Sequence, residues 1–288
     1  LRPPLLQIHS SQDVTLDGLR LQNSPFWTLH PLFSKNITLK NLVIENPAEA
    51  PNTDGIDIES CSHVTVDSCY VHVGDDGIAL KSGSGVSGIK DAAPAEYVTI
   101  TNCTVKAAHG GAVIGSETAA GIHNVTVSGC TFDGTDRGIR IKTRRGRGGC
   151  LHDLRFENLV MKNNLCPLVV NMYYRCGCSD MSLFSLDKMP AGDETPSLYN
   201  LEVINCKGTG ARSSAAMLVG LPESPLRNVS IRNCSFSIAT ENLEPVDKSD
   251  MYLGLPEITC RGIRLRFIDN PVLENIHVEG ATQDFIME

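Results

Sequence analysis

Asn124-Val125-Thr126-Val127-Ser128-Gly129-Cys130 is one copy of a phrase that recurs along nearly the whole chain. It alternates polar and aliphatic residues and closes on Cys or Leu. The first aliphatic of each copy falls at Val14, Ile37, Val64, Val98, Val125, Leu154, Leu201, Val229 and Ile276, so the spacings are 23, 27, 34, 27, 29, 47, 28 and 47 residues. Alternating Val, Ile and Thr mark a half-buried strand, because successive side chains point to opposite faces. A period in the twenties holds two or three strands with their turns, which is the period of a solenoid. Asp13, Asn36, Asn124, Asp153, Asn200, Asn228 and Asn275 each precede the first aliphatic, as expected where a turn residue recurs at one corner. Each spacing of 47 is read as a degenerate coil or an inserted loop. The expected fold is all-β: a parallel β-helix over residues 1–288 as a single domain, each coil burying its apolar face only by stacking on its neighbours.

The cysteines follow the same phase. Cys69, Cys103, Cys130, Cys206 and Cys234 lie five residues after the first aliphatic of their copies, where other copies carry Leu19, Leu42 and Leu159. A thiol that exchanges with Leu behaves as a small hydrophobe, so these five are expected to be reduced core thiols. Cys166 and Cys176-Gly177-Cys178 stand outside the ladder, where a disulfide or a metal site stays open. An odd total of eleven cysteines leans toward a reducing compartment such as the cytoplasm, with secretion the alternative. The five Asn-x-Ser/Thr sequons at Asn36, Asn102, Asn124, Asn228 and Asn233 are explained by the corner Asn followed by an aliphatic and Thr or Ser, without a glycan.

Composition narrows the classes further. Low aromatic content (5%) with 25 Gly and 15 Pro points to short strands and turns rather than a helical bundle. A net charge of −8 argues against nucleic acid, and no apolar run is long enough to span a membrane. The start at Leu1-Arg2-Pro3-Pro4 shows no signal peptide and reads as a processed or partial chain.

The chemistry-bearing residues begin at Asn52. Asn52-Thr53-Asp54-Gly55 is followed, 21 residues after Asp54, by Asp75-Asp76 within Gly74-Asp75-Asp76-Gly77-Ile78-Ala79-Leu80-Lys81. Strands of adjacent coils lie about 4.8 Å apart, so the three carboxylates are expected within one coil height on one face. Like charges so close raise the proton affinity of at least one member and leave others ionised, which supplies an acid and a base together. Adjacent residues of a regular strand face opposite ways, so both Asp75 and Asp76 reach one cleft only if the backbone kinks, which Gly74 and Gly77 permit. For the Asp pair alone a solvated acidic turn or a calcium site is the competing reading. His109-Gly110-Gly111 comes next, then Arg137-Gly138-Ile139-Arg140-Ile141-Lys142, running on into Arg144, Arg145 and Arg147. Arg140 and Lys142 share one face of a strand. The whole cationic stripe is expected to stack on the carboxylates and neutralise an acidic sugar.

These residues in this order, Asn-Thr-Asp, Gly-Asp-Asp, His-Gly and Arg-Ile-Lys, resemble the four signature motifs of glycoside hydrolase family 28, the polygalacturonases. The resemblance is strong over Arg2 to Tyr174 and rests on the repeat alone thereafter. It implies a right-handed parallel β-helix, with N-terminal coils that the family has ahead of Arg2 missing. It also implies hydrolysis of α-1,4-galacturonosidic bonds in polygalacturonate with inversion, with no metal or cofactor. Under it Asp75 protonates the leaving oxygen, Asp54 and Asp76 hold the attacking water, and His109 orients Asp75. Acid and base are then expected roughly 6.5 to 9.5 Å apart. Asn52, Arg140, Lys142 and Tyr174, or Tyr173 in a shifted register, bind the acidic polysaccharide or oligogalacturonate. Gly77 stands where the family often has Cys, a departure read as harmless. Gly111-Ala112-Val113-Ile114-Gly115-Ser116-Glu117 and Thr143-Arg144-Arg145-Gly146-Arg147-Gly148-Gly149 are similar to the bacterial and plant exo-acting branch. The rival readings are a calcium-dependent pectate lyase with an Arg base, and a carbohydrate-binding β-helix without hydrolase activity.

Overall fold

The repeated phrase builds a strand and a corner in each coil. In one coil the strand Ile122–Ser128 leads to the short strand Thr131–Asp133 and then to Arg137–Lys142. The chain next returns as Cys150–Glu157, parallel to and paired with Ile122–Ser128. The structure, a computed structural model, describes residues 2–246, 255–256 and 260–288. One parallel sheet of ten strands takes one strand from each coil, and a parallel sheet of 17 strands is formed by the other segments. The fold is a right-handed parallel β-helix, the hand that lets twisted strands and their crossovers pack back on one another.

Register follows the repeat. Val64, Val98, Val125, Leu154, Leu201 and Val229 stack as consecutive partners. All six are buried, and each contributes roughly 1.5 to 3 kcal/mol of apolar burial. The residue before each of them has a left-handed backbone, with φ of 56° at His63, 53° at Tyr97, 55° at Asn124, 53° at Asp153, 55° at Asn200 and 48° at Asn228, and Asn36 before Ile37 does the same at 54°. Asn and Asp tolerate that region best after Gly. Their side chains also bond from coil to coil: Asn228 donates to Asn200 (2.6 Å) and Asn200 to Asp153 (2.8 Å). A second left-handed corner precedes the cysteine phase, with Asn275 donating to Asn233 (3.0 Å) and Asn233 to Asn205 (3.2 Å). Two backbone corners therefore recur, and they generate all five sequons.

The cysteine ladder is a ladder of thiols. All eleven cysteines are free, and Cys69, Cys103, Cys130, Cys206 and Cys234 are buried in the core. Cys166 is buried too, Cys178 is half-buried and Cys176 is exposed, and none of the three forms a disulfide.

Two expectations need correction, at Leu19 and at Ile276. Leu19, in the first described coil, is exposed. Ile276 pairs with Cys234 and Val278 with Phe236, so this copy lies in the phase of the second corner and not of Val229. Leu154 pairs directly with Leu201, so that spacing of 47 is a full coil plus the loop 172–196, the inserted loop that one of its two readings gave. The spacing of 34 likewise holds an inserted turn of helix, Gly85–Asp91.

Candidate active site

The ten-strand sheet positions the acidic and basic motifs. Its inward row runs Ile56, Ile78, Ala112, Ile139 and Leu168, and the neighbouring outward row runs Asp57, Ala79, Val113, Arg140 and Val169. The alternation breaks at one point. A Cβ placed on Gly77 would lie 2.5 Å from Val105 Cγ1 and 2.9 Å from the Gly110 carbonyl, so position 77 faces the interior although Ile78 does too. This kink turns Asp76 outward beside Asp75. It also makes Gly77 a fitted residue: any side chain there, Cys included, would displace Val105.

Asp54, Asp75 and Asp76 each offer an oxygen within 4.8 Å of the others. That is tighter than the expected 6.5 to 9.5 Å. Asp54 and Asp76 are buried, while Asp75 keeps a side-chain exposure of 19%. Asp75 Oδ1 accepts from the Asp76 amide (2.9 Å) and lies 3.3 Å from His109 Nδ1, and Oδ2 accepts from the Asn52 amide (3.2 Å).

Their environments separate the three carboxyls. Burial, reinforced by Asp76 and Asp75 and opposed by Lys81, raises Asp54 to about 7. Burial also opposes charge on Asp76, but Lys142, Arg140 and Lys81 outweigh it and hold Asp76 ionised far below the carboxylate range. For Asp75 burial is again the opposing effect; the hydrogen bond from His109 overcomes it and lowers the carboxyl, while the same bond raises His109. In the free protein the shared proton of that pair therefore rests on the imidazole.

Asp76 is gripped on both oxygens. Arg140 Nη1 lies 2.7 Å from Oδ1 and Lys142 Nζ 2.5 Å from Oδ2. The Tyr174 ring covers both cations, 5.7 Å from the Arg140 guanidinium and 5.2 Å from Lys142 Nζ. Tyr173 is elsewhere, donating to the Ser185 carbonyl at 3.2 Å under Arg145. A divalent cation among the three carboxylates would have to face the two cations already on Asp76, so the donor set does not fit a metal.

One expectation fails here. The cationic run does not act as one stripe. Arg145 pairs with Glu223 and donates to the Leu183 and Ser185 carbonyls (2.8 Å each), anchoring the 172–196 loop. Arg147 pairs with Glu117 (2.6 Å) and Arg144 donates to the Arg145 carbonyl (2.9 Å). Arg140 and Lys142 are the members of the run that pair with Asp76 among the described contacts. Asn52 Oδ1 accepts from Arg2 Nη2 at 2.8 Å, and its backbone amide donates to Asp75 Oδ2.

Residues outside the motifs complete the floor. Lys81 is buried, 3.1 Å from Glu117 Oε2 and 3.6 Å from Asp57 Oδ1, with Nζ 4.9 Å from the centre of the Trp27 ring. Strand phase was the available signal, since Lys81 partners Glu59 just as Lys142 partners Gly115.

The profile described as glycosyl hydrolases family 28 matches residues 1–242. This chain belongs to glycosyl hydrolase family 28. It is 31% identical over 243 residues to a probable polygalacturonase of Vitis vinifera, across 83% of this chain and 47% of that one. With an endo-polygalacturonase of Pectobacterium carotovorum subsp. carotovorum it shares 36% over 174 residues, 60% of this chain and 41% of the other. Among solved structures, a hyperthermoactive exopolygalacturonase from Thermotoga maritima superposes with a TM-score of 0.79 at 28% identity, covering 97% of this chain and 55% of that one. The chain spans about half the length of the curated relatives it matches. The family 28 match includes all four motifs and Tyr174.

Proposed function

We propose that this family 28 chain hydrolyses α-1,4-galacturonosidic bonds in polygalacturonate, with inversion and from a chain end. The observation that carries the reading is the trio of carboxylates within 4.8 Å of one another, with Arg140, Lys142 and Tyr174 beside it. Oxygens at that spacing suit one water held between them by hydrogen bonds of ordinary length. Asp76, held ionised by Lys142 and Arg140, and Asp54 orient and deprotonate this water. Asp75 protonates the leaving oxygen with the proton that His109 holds 3.3 Å away. A uronate next to Arg140 and Lys142 binds by charge-assisted hydrogen bonds.

Hydrolysis is favoured over elimination because Arg140 is committed to Asp76 and held more strongly protonated by it; a lyase needs a free Arg base. The exo reading draws on the likeness to the Thermotoga maritima exopolygalacturonase, while the Pectobacterium relative is an endo enzyme. The test is incubation with polygalacturonate. Reducing ends, a β-anomer as the first product by proton NMR, and only small products from the earliest times are expected. An α-anomer would mean a carboxylate attacks carbon directly, and a ladder of intermediate oligomers would mean endo attack. An ultraviolet-absorbing unsaturated product would mean elimination. Binding without reducing ends over hours would leave a carbohydrate-binding module.

A further inference from the structure

A bond between two galacturonates has a carboxylate on each side of it, and Arg140 with Lys142 can take one of the two. The carboxylate trio has a second cationic and aromatic group on its other side. Leu29 partners Ile56, and the Thr28 amide donates to the Asp54 carbonyl at 2.9 Å, so Trp27 falls beside Asp54 on the neighbouring coil. That coil lies on the side of Asp54 away from Arg140. Trp27 stacks on Phe26, with ring centres 5.1 Å apart and planes at 16°. The Arg2 guanidinium lies 5.5 Å from the centre of the Phe26 ring, and Lys81 Nζ 4.9 Å from that of Trp27. Two stacked rings thus carry a cation each, as Tyr174 carries Arg140 and Lys142. Cations seek the electron-rich faces of aromatic rings and leave the electropositive edges to a ligand. Arg2 donates to the Pro51 carbonyl (3.1 Å) and to Asn52 Oδ1 (2.8 Å), and the Asn52 amide donates in turn to Asp75 Oδ2. Those two bonds leave most of the five N–H donors of the guanidinium unused, on an exposed residue. Phe26 and Trp27 are half-buried, and among the described residues no acceptor meets the Trp27 indole N–H.

We propose that Arg2, Phe26 and Trp27 form the subsite of the second galacturonate, the sugar on the Asp54 side of the bond being cut. The Arg2 guanidinium and the Trp27 indole N–H take its carboxylate, and the rims of the two rings bear on the sugar. This rests on the polygalacturonate reading above. Each uronate then has its own cation, with the three carboxylates between them. Lys81 is bonded to Glu117 (3.1 Å) and serves the subsite only as the cap over Trp27. A methyl-esterified sugar cannot accept a charge-assisted hydrogen bond from Arg2, so the subsite selects the free acid.

Trp27 is the single tryptophan of the chain, so its emission reads this place alone. The experiment titrates trigalacturonate into the Asp75→Asn variant, expected to leave it uncut, with tryptophan fluorescence and calorimetry in parallel. It also measures kcat and KM on polygalacturonate for the wild type and Arg2→Gln. The emission is expected to change and to saturate at the calorimetric Kd. Arg2→Gln is expected to raise KM by about tenfold or more, the loss of a hydrogen bond to a charged group, with a smaller change in kcat. It should also narrow the preference for the free acid over its methyl ester. Emission that stays constant while calorimetry reaches saturation overturns the subsite, and that arm needs no substitution in the stack. An unchanged KM in Arg2→Gln overturns it too; a fall in kcat alone would place Arg2 behind Asn52 and Asp75 as a support of the acid. An inactive wild type whose emission still responds to trigalacturonate overturns the hydrolase reading and leaves the subsite standing. An inactive wild type that binds none overturns both.

Discussion

Arg140 stands two coils below Asp76, and its Nη1 nevertheless lies 2.7 Å from Asp76 Oδ1. The coil between them makes this possible, because the partner of Asp76 there is Gly110. A Cβ on Gly110 would meet Arg140 Cδ at 3.0 Å and Val113 Cγ2 at 2.6 Å. The glycine after His109 is a passage for the arginine side chain.

Gly110→Ala should therefore fold and lose activity, since the crowded atoms belong to side chains that can move, but only by lifting Arg140 from Asp76. A misplacement of about 1 Å costs on the order of 100-fold in rate. The check is kcat/KM on polygalacturonate beside a thermal melt. A melt lowered by many degrees with normal kcat/KM would place the strain in the core instead.

Asp75→Asn should retain the fold and lose roughly 100- to 10,000-fold in kcat, the range of a positioned proton donor. The pH dependence follows from the pair's opposed shifts. His109 is raised by Asp75, so the protonated pair is complete below the ordinary histidine value and is lost as pH rises through the raised one. Asp75 is lowered, so it is lost on the acid side only below the ordinary carboxylate range. His109→Ala should remove the alkaline limb of the kcat profile, which a stopped assay of reducing ends from pH 4 to 10 reads directly.

What the sequence shows of this molecule, and what it hides, has a physical pattern. Strand phase was legible because the interior accepts only apolar side chains, so Val125, Leu154 and Leu201 declare themselves by alternation. The left-handed corners were legible because few residues besides Asn, Asp and Gly adopt that backbone cheaply. Spacing by whole coils brought Asp54, Asp75, Asp76, His109, Arg140 and Lys142 together. The fate of long side chains was not legible. Arg145 and Arg147 look like extensions of the Arg140 stripe, but their partners Glu223 and Glu117 come from other parts of the chain. Ile276 mimics the strand phrase because both corners of a coil begin with Asn, and only the pairing with Cys234 tells them apart.

Asp54→Asn should stabilise the protein at alkaline pH while removing activity. Folding raises Asp54 from the ordinary carboxylate range to about 7, so the folded state binds the proton more tightly than the unfolded chain. Stability therefore falls as pH rises from about 4 to 7 and stays reduced above it. The amide cannot ionise and carries no such penalty. Differential scanning calorimetry should show the variant melting roughly 5 °C or more above the wild type at pH 8, using about 2 to 4 °C per kcal/mol for a chain of this size, and near it at pH 4. Equal melting temperatures at both pH values would mean that Asp54 is not strained by its burial.

The Asn ladder allows a test in which two substitutions at one position separate two effects. Asn228 adopts φ of 48° and donates to Asn200 Oδ1 at 2.6 Å. Asn228→Gly keeps the backbone at ease and loses only the hydrogen bond, about 1 kcal/mol. Asn228→Ala loses the bond and also forces a Cβ into the left-handed region, a further 1 to 2 kcal/mol or so. The order of stability should be Asn, then Gly, then Ala, against the usual ranking in which Gly is the weaker residue inside a strand. Urea titration monitored by circular dichroism reads it. If Ala proved more stable than Gly, the corner would be held by its neighbours rather than by the conformational ease of its own residue.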